Sequence, residues 1–183
     1  MNIIKTNLPD VWIIEPKVFY DTRGFFMETY HDKALAAFGM TATFVQDNHS
    51  HSQQGTLRGL HYQIRFTQGK LVRVVNGEIF DVAVDLRRRS PTFGHWTGTR
   101  LSAENKLQMW IPPGLAHGFY TLSETADLIY KVTDHYAPEW DRTLLWNDPQ
   151  IAIAWPLIDG SPPVLSAKDA QGKPLDQADV FEW

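Results

Sequence analysis

Apolar residues fall along this chain in short clusters, rich in β-branched and aromatic types and bounded by Gly, Pro, Asn or Ser, which is the pattern of strands and turns. Such clusters predict strands at Val18–Tyr20, Phe25–Tyr30, Thr43–Asn48, Leu57–Gln63, Leu71–Val75, Ile79–Leu86, Met109–Ile111 and Leu128–Thr133. Helical periodicity shows only at Asp32–Phe38, where Gly39 supplies a stop. Many short strands with no helices between them predict an all-β fold, an antiparallel sandwich or barrel with a few short helices. No repeat, low-complexity tract or linker divides residues 1–183, so one domain is expected, with the looser stretch 156–183 wrapped around it.

Asn76-Gly77 is the strongest local signal, because Asn-Gly suits the type I′ turn of a tight hairpin. A two-residue loop there would set Val74 opposite Ile79, Val72 opposite Asp81 and Lys70 opposite Ala83. One face of the hairpin then carries Lys70, Val72, Val74, Ile79, Asp81 and Ala83, two opposite charges on an otherwise apolar surface. Turned into a barrel, Lys70 and Asp81 would be desolvated at a cost that function explains better than stability; at a rim, the ammonium would reach water.

Composition narrows the chemistry. The chain has 183 residues, enough to bury about 70% of its unfolded surface in one core. No apolar run approaches the roughly 20 residues that span a bilayer, and Met1-Asn2-Ile3-Ile4-Lys5-Thr6 does not read as a signal peptide, so a cytoplasmic protein is expected. With no cysteine, thiolate nucleophiles and sulfur-ligated metals are excluded. Lys+Arg 17 against Asp+Glu 21 leaves −4, which argues against nucleic acid as a partner, and Arg87-Arg88-Arg89 reads as a solvated turn.

Of the seven histidines, His61 stands out: its strand-like run places Gly59 and Gln63 on its side, and Arg58 beside it offers an anion-binding fork. A structural, hydrogen-bonded histidine is the competing reading. Tyr130 shares a strand face with Leu128 and Val132, which turns its phenol inward, either as core or toward a cavity. His49 and His51 have the alternate spacing that puts two imidazoles on one strand face, and His117 could add a third ligand, a metal-dependent alternative that Lys70 nearby opposes.

Longer motifs carry more. Phe19-Tyr20-Asp21-Thr22-Arg23-Gly24-Phe25-Phe26-Met27-Glu28, Phe44 to Ser50, Gly55 to Gln63, Gln68 to Val74, Phe80 to Arg87, Trp110 to Phe119, Tyr130 to Asp134, Trp146 to Pro149 and Leu165 to Asp169 occur in that order. In these motifs the sequence closely resembles the dTDP-4-dehydrorhamnose 3,5-epimerase family across almost the whole chain. The resemblance implies a cupin-like antiparallel β-barrel or jelly roll, a homodimer, and no metal or organic cofactor. It further implies dTDP-4-dehydro-6-deoxy-D-glucose as substrate, inverted at C3 and C5 beside the C4 ketone to give dTDP-4-dehydro-L-rhamnose.

By similarity His61 is the base, oriented by Asp169, which is expected to raise its basicity; Tyr130 is the acid on the other ring face, and Lys70 partners the enolate oxygen. Arg23 and Arg58 fall at pyrophosphate and sugar contacts, and Glu28, Gln46, Asp47 and Asn48 at the nucleotide end. Tyr136 falls where a ring stacks on thymine, His117 at a sugar contact, and Lys168 and Asp141 at further substrate contacts, some of the whole set coming from the neighbouring subunit. Asp141 departs from the pattern, since many relatives carry the longer Glu there. Alternatives that stay open are a single-carbon epimerase, a metal-dependent cupin built on His49, His51 and His117, and a non-catalytic sugar-nucleotide binder.

Overall fold

Strands that alternate apolar and polar residues have one face to bury, and in the computed structural model, which describes residues 1–183, two antiparallel sheets bury it against each other. The first sheet runs in the order β1 (Asn2–Lys5), β2 (Trp12–Glu15), β10 (Gln108–Ile111), β7 (Lys70–Asn76), β12 (Thr125–Val132) and β5 (Gln46–Gln53). The second is β13 (Asp141–Thr143), β6 (Leu57–Gln63), β11 (Leu115–Thr121), β8 (Glu78–Asp85) and β9 (Trp96–Ser102). A hairpin of β3 (Val18–Asp21) and β4 (Gly24–Met27) stands apart, and the one α-helix is α1 (Asp32–Ala36). No helix is long and apolar enough to cross a membrane.

The core between the sheets is built from Val72, Val74, Ile79, Ala83, Leu101, Met109, Phe119 and Leu128, among others. A second cluster, including Leu60, Tyr62, Val82, Val84 and Leu144, lies on the outer face of the five-stranded sheet. The C-terminal stretch covers it: Phe181 joins that cluster, and single bridges tie Thr56 to Val164, Leu144 to Lys173 and Arg87 to Phe181.

The tight hairpin expected at Asn76-Gly77 does not form. β7 pairs with β10 and β12, while β8 pairs with β11 and β9, so the chain crosses here from one sheet to the other. Gly77 has φ +73, and a Cβ would lie 2.0 Å from the Thr125 carbonyl oxygen. A corner between sheets thus makes the same demand on glycine as a type I′ turn, and local sequence does not separate them. The inward face survives for a different reason: Lys70, Val72, Val74, Ile79, Asp81 and Ala83 are all buried, facing across the sandwich rather than along a ladder.

Strands β1, β2, β9, β11 and β13 escape the hydrophobic pattern. Every residue of β11 is buried, so alternation vanishes there. β5 starts later than expected and continues through His49-Ser50-His51-Ser52-Gln53, a polar run that pairs with β12 along its whole length.

Candidate active site

Strict alternation would put Arg58 and His61 on opposite faces of β6. A bulge prevents this: His61 pairs with His117 and Arg58 with Phe119, so three steps on β6 span two on β11. Paired residues share a face, and both side chains therefore turn toward the space between the sheets. Glycines permit the close approach, since a Cβ at Gly59 (φ +129) would lie 2.5 Å from Gly118 Cα.

His61 Nε2 lies 2.5 Å from Asp169 Oδ1. The carboxylate can only accept, so Nε2 carries the proton and Nδ1 keeps the lone pair. Ser166 Oγ donates to Asp169 Oδ2 at 2.7 Å and the Gly59 amide to Oδ1 at 3.3 Å. Burial alone would push the Asp169 carboxyl up; the bonds from His61 and Ser166 overcome this and hold it below its ordinary value. For His61 the Asp169 contribution is the expected one, raising the imidazole pKa, but it is outweighed. Burial lowers the imidazole pKa more than Asp169 raises it, and the Lys168 and Lys70 ammonium groups lower it further. The ring is thus neutral near pH 7, with Asp169 fixing its tautomer and orientation.

The six-stranded sheet supplies the facing groups. Tyr130 pairs with Val72 and Asn48, and its ring centroid lies 5.9 Å from Lys70 Nζ. Burial raises the phenol pKa against the pull of Arg58, so it stays protonated at neutral pH. Lys70 is 7% exposed, and burial pushes its pKa down to about 8, while Asp141 and Asp81 resist. Asp81 is fully buried; its Oδ1 lies 2.7 Å from His117 Nε2 and its Oδ2 has no hydrogen-bond partner.

Around this centre Arg58 donates to Ser52 Oγ and the His51 carbonyl. Gln46 and Asn48 face inward from β5 and bond each other at 2.8 Å, and Gln46 Oε1 accepts the Tyr136 amide. Tyr136 Oη and Lys168 Nζ both donate to Asp141 Oδ2. Ser166 and Gln63 are additions that sequence reasoning missed. The Ser-x-x-Asp spacing of a capped turn was a signal for Ser166, whose Oγ also accepts the Asp169 amide. Gln63 braces the Tyr136 loop through the Ala137 amide and the His135 and Phe66 carbonyls, and nothing in its strand signalled this.

Other candidates stand elsewhere. Asp47 faces outward and pairs with Lys131 at 2.9 Å. Arg23 lies on the β3–β4 hairpin and is held by Asp21 at 2.6 Å; Glu28 follows the same hairpin. That hairpin packs near Val74, Val75 and Lys106, toward the end of β7 remote from Lys70. His49 and His51 both reach Asp127 Oδ1, at 3.1 and 3.0 Å, on the outer face of the sheet, whereas His117 is inside on Asp81. The three histidines of the metal-dependent alternative are not brought together.

A family model described as dTDP-4-dehydrorhamnose 3,5-epimerase matches residues 5–177. The chain belongs to that family. It is 60% identical over 182 residues to the dTDP-4-dehydrorhamnose 3,5-epimerase of Pseudomonas aeruginosa, covering 99% of each chain. Among solved structures it is similar to a dTDP-6-deoxy-D-glucose-3,5-epimerase from Legionella pneumophila in complex with dTDP-4-keto-L-rhamnose. There the TM-score is 0.96 and the identity 54%, over 100% of this chain and 98% of that one. A 3′-monoepimerase from Streptomyces bikiniensis in complex with dTDP-quinovose shares the fold at TM-score 0.87 and 34% identity, over 94% of this chain and 87% of that one. The family's cupin-like, antiparallel β architecture is the architecture seen here.

Proposed function

We propose that the protein converts dTDP-4-dehydro-6-deoxy-D-glucose to dTDP-4-dehydro-L-rhamnose by inverting C3 and C5. The observation that carries this reading is the opposition of two groups: a neutral imidazole tied to Asp169 comes from one sheet, and a protonated phenol, Tyr130, comes from the other. A sugar ring held between the sheets has the base on one side and the acid on the other, as inversion requires.

His61 Nδ1 takes the proton from the carbon beside the ketone, and the electron pair of the broken C–H bond moves to the ketone oxygen. Lys70, charged below its pKa of about 8, stabilises that oxyanion. Tyr130 then gives its proton to the opposite face of the carbon. Imidazolium and phenolate reset by proton exchange, and the cycle repeats at the second carbon. No electron is gained or lost, so the reaction calls for no redox cofactor.

The nucleotide belongs with Arg58, Gln46, Asn48 and Tyr136, and His117 and Lys168 line the sugar end. The single-domain reading fits this arrangement, because residues 156–183 supply Lys168 and Asp169 to it. This reading assigns the protein to the cytoplasm.

The reading includes a homodimer in which Arg23 and Glu28 serve the partner's nucleotide. Its support is the hairpin that carries Arg23: Phe19, Tyr20, Phe25 and Phe26 are all exposed, and the hairpin lies away from its own His61. Mixing inactive His61→Asn protein with inactive Arg23→Ala protein under subunit exchange is expected to restore turnover, because a mixed pair keeps one intact site. If Arg23 acts within its own protomer, no activity returns.

Turnover in deuterium oxide is expected to place deuterium at both C3 and C5 of the product, read by mass and proton NMR. Conversion without incorporation would falsify the proton-transfer mechanism. The likeness to a 3′-monoepimerase gives a second reading, inversion at one carbon only, and deuterium confined to C3 would select it.

A further inference from the structure

Asp141 sits where three segments meet. Its backbone pairs with Gln63 on β6, which fixes its position in β13. Its Oδ2 accepts Tyr136 Oη, at 3.1 Å, from the loop after β12, and Lys168 Nζ from the C-terminal stretch. The carboxylate is largely covered, with its side chain 11% exposed, whereas Lys168 is 47% exposed. Lys168 directly precedes Asp169, the residue that orients His61, and both belong to the turn closed by the Ser166 hydroxyl. Both bonds fall on Oδ2, so the ammonium and the phenol fix the orientation of the carboxylate from two sides.

We propose that Asp141 is a positioning residue: it ties Tyr136 and Lys168 into one assembly and steadies, through Lys168, the turn that carries Asp169. The inference rests on the epimerase reading above and deepens it, by assigning Asp141 to the internal order of the site in place of a contact with the nucleotide. Lys70 lies 5.9 Å from the Tyr130 ring, and the charges that act on it are those of Asp141 from β13, Asp81 of β8, which is paired with His117 of β11, and Lys168. Both carboxylates raise the Lys70 pKa against burial, and Lys168 lowers it.

The test is the pH profile of kcat/KM for the wild type, Asp141→Asn, Asp141→Glu and Lys168→Met. Losing the Asp141 charge makes Lys70 easier to deprotonate, so the alkaline limb of Asp141→Asn is expected to move to lower pH by roughly half a unit or more. Asp141→Glu keeps the charge and should hold the limb near its wild-type position. Lys168→Met removes an opposing cation and should move it to higher pH. A purely structural role predicts a lower rate with an unmoved limb, and that result in Asp141→Asn overturns the inference. Should thermal melting show Asp141→Asn unfolded, Lys168→Met decides through kcat: it cuts the tie between Asp141 and the Asp169 turn and should lower kcat, and an unchanged kcat is equally fatal. Wild-type protein that exchanges no deuterium overturns the epimerase reading itself, which is a separate outcome from an unmoved limb in an active enzyme.

Discussion

His61→Ala is expected to lower kcat by about 10²–10⁴-fold, the range for loss of a placed general base, with little change in affinity for thymidine diphosphate. The split follows from geometry. The imidazole is engaged by Asp169 and faces the sugar end of the site, whereas the groups assigned to the nucleotide, Arg58, Gln46, Asn48 and Tyr136, are held by other partners and keep their places. Deuterium wash-in at both carbons should fall with kcat. In the wild type the base must be neutral to act, and burial has pushed its pKa below the ordinary 6.5. Activity should therefore fall only as pH drops through that lowered value, leaving the acid limb of kcat/KM below about 6.5. Calorimetric titration with thymidine diphosphate and single-turnover rates check the two halves. An alanine variant that turns over at the wild-type rate removes His61 from the mechanism, and one that loses nucleotide affinity as well assigns it to binding.

The strands rich in β-branched and apolar residues, β6, β7 and β8, were readable from the chain almost to their ends, as was the inward face on which Lys70 and Asp81 lie, whereas β12 begins three residues before the predicted Leu128. What the pattern could not carry is instructive. β5 is polar on both faces because its inner side, Gln46, Asn48, Ser50 and Ser52, looks into the site rather than the apolar core, so the strand that helps build the binding surface is one that hydrophobicity hides. The bulge between Arg58 and His61 breaks the period of two at the position where chemistry needs both side chains together. Asp169 lies 108 residues from its partner His61, a distance no local rule bridges, and only the family resemblance joined them. The corner at Gly77 shows the converse, a correct local signal used for a different connection.

Lys70→Met is expected to lower kcat by about 10²–10³-fold, the usual loss for one donor to a developing oxyanion, and at the same time to make the protein more stable at pH 7. Both effects come from burying an ammonium between two sheets. Desolvation drives the Lys70 pKa from 10.5 to about 8 despite Asp141 and Asp81, so the folded state holds this proton less tightly than the unfolded chain does. Below about pH 8 the charged lysine is a net burden on folding, on the order of 3 kcal/mol for a shift of this size. Between about pH 8 and 10.5 the unfolded chain binds more protons than the folded one, and wild-type stability therefore rises with pH over that window relative to the methionine variant. Urea denaturation across this range should show the variant ahead at pH 7 and its lead shrinking toward pH 10.5. A variant less stable than wild type at pH 7 would mean that the two aspartates lose more without their cation than desolvation costs it, and that Lys70 is a structural ion pair. A variant that is more stable and nearly inactive places the lysine among residues kept for chemistry at the expense of stability, with its charge directed at an oxygen that becomes an anion only during turnover.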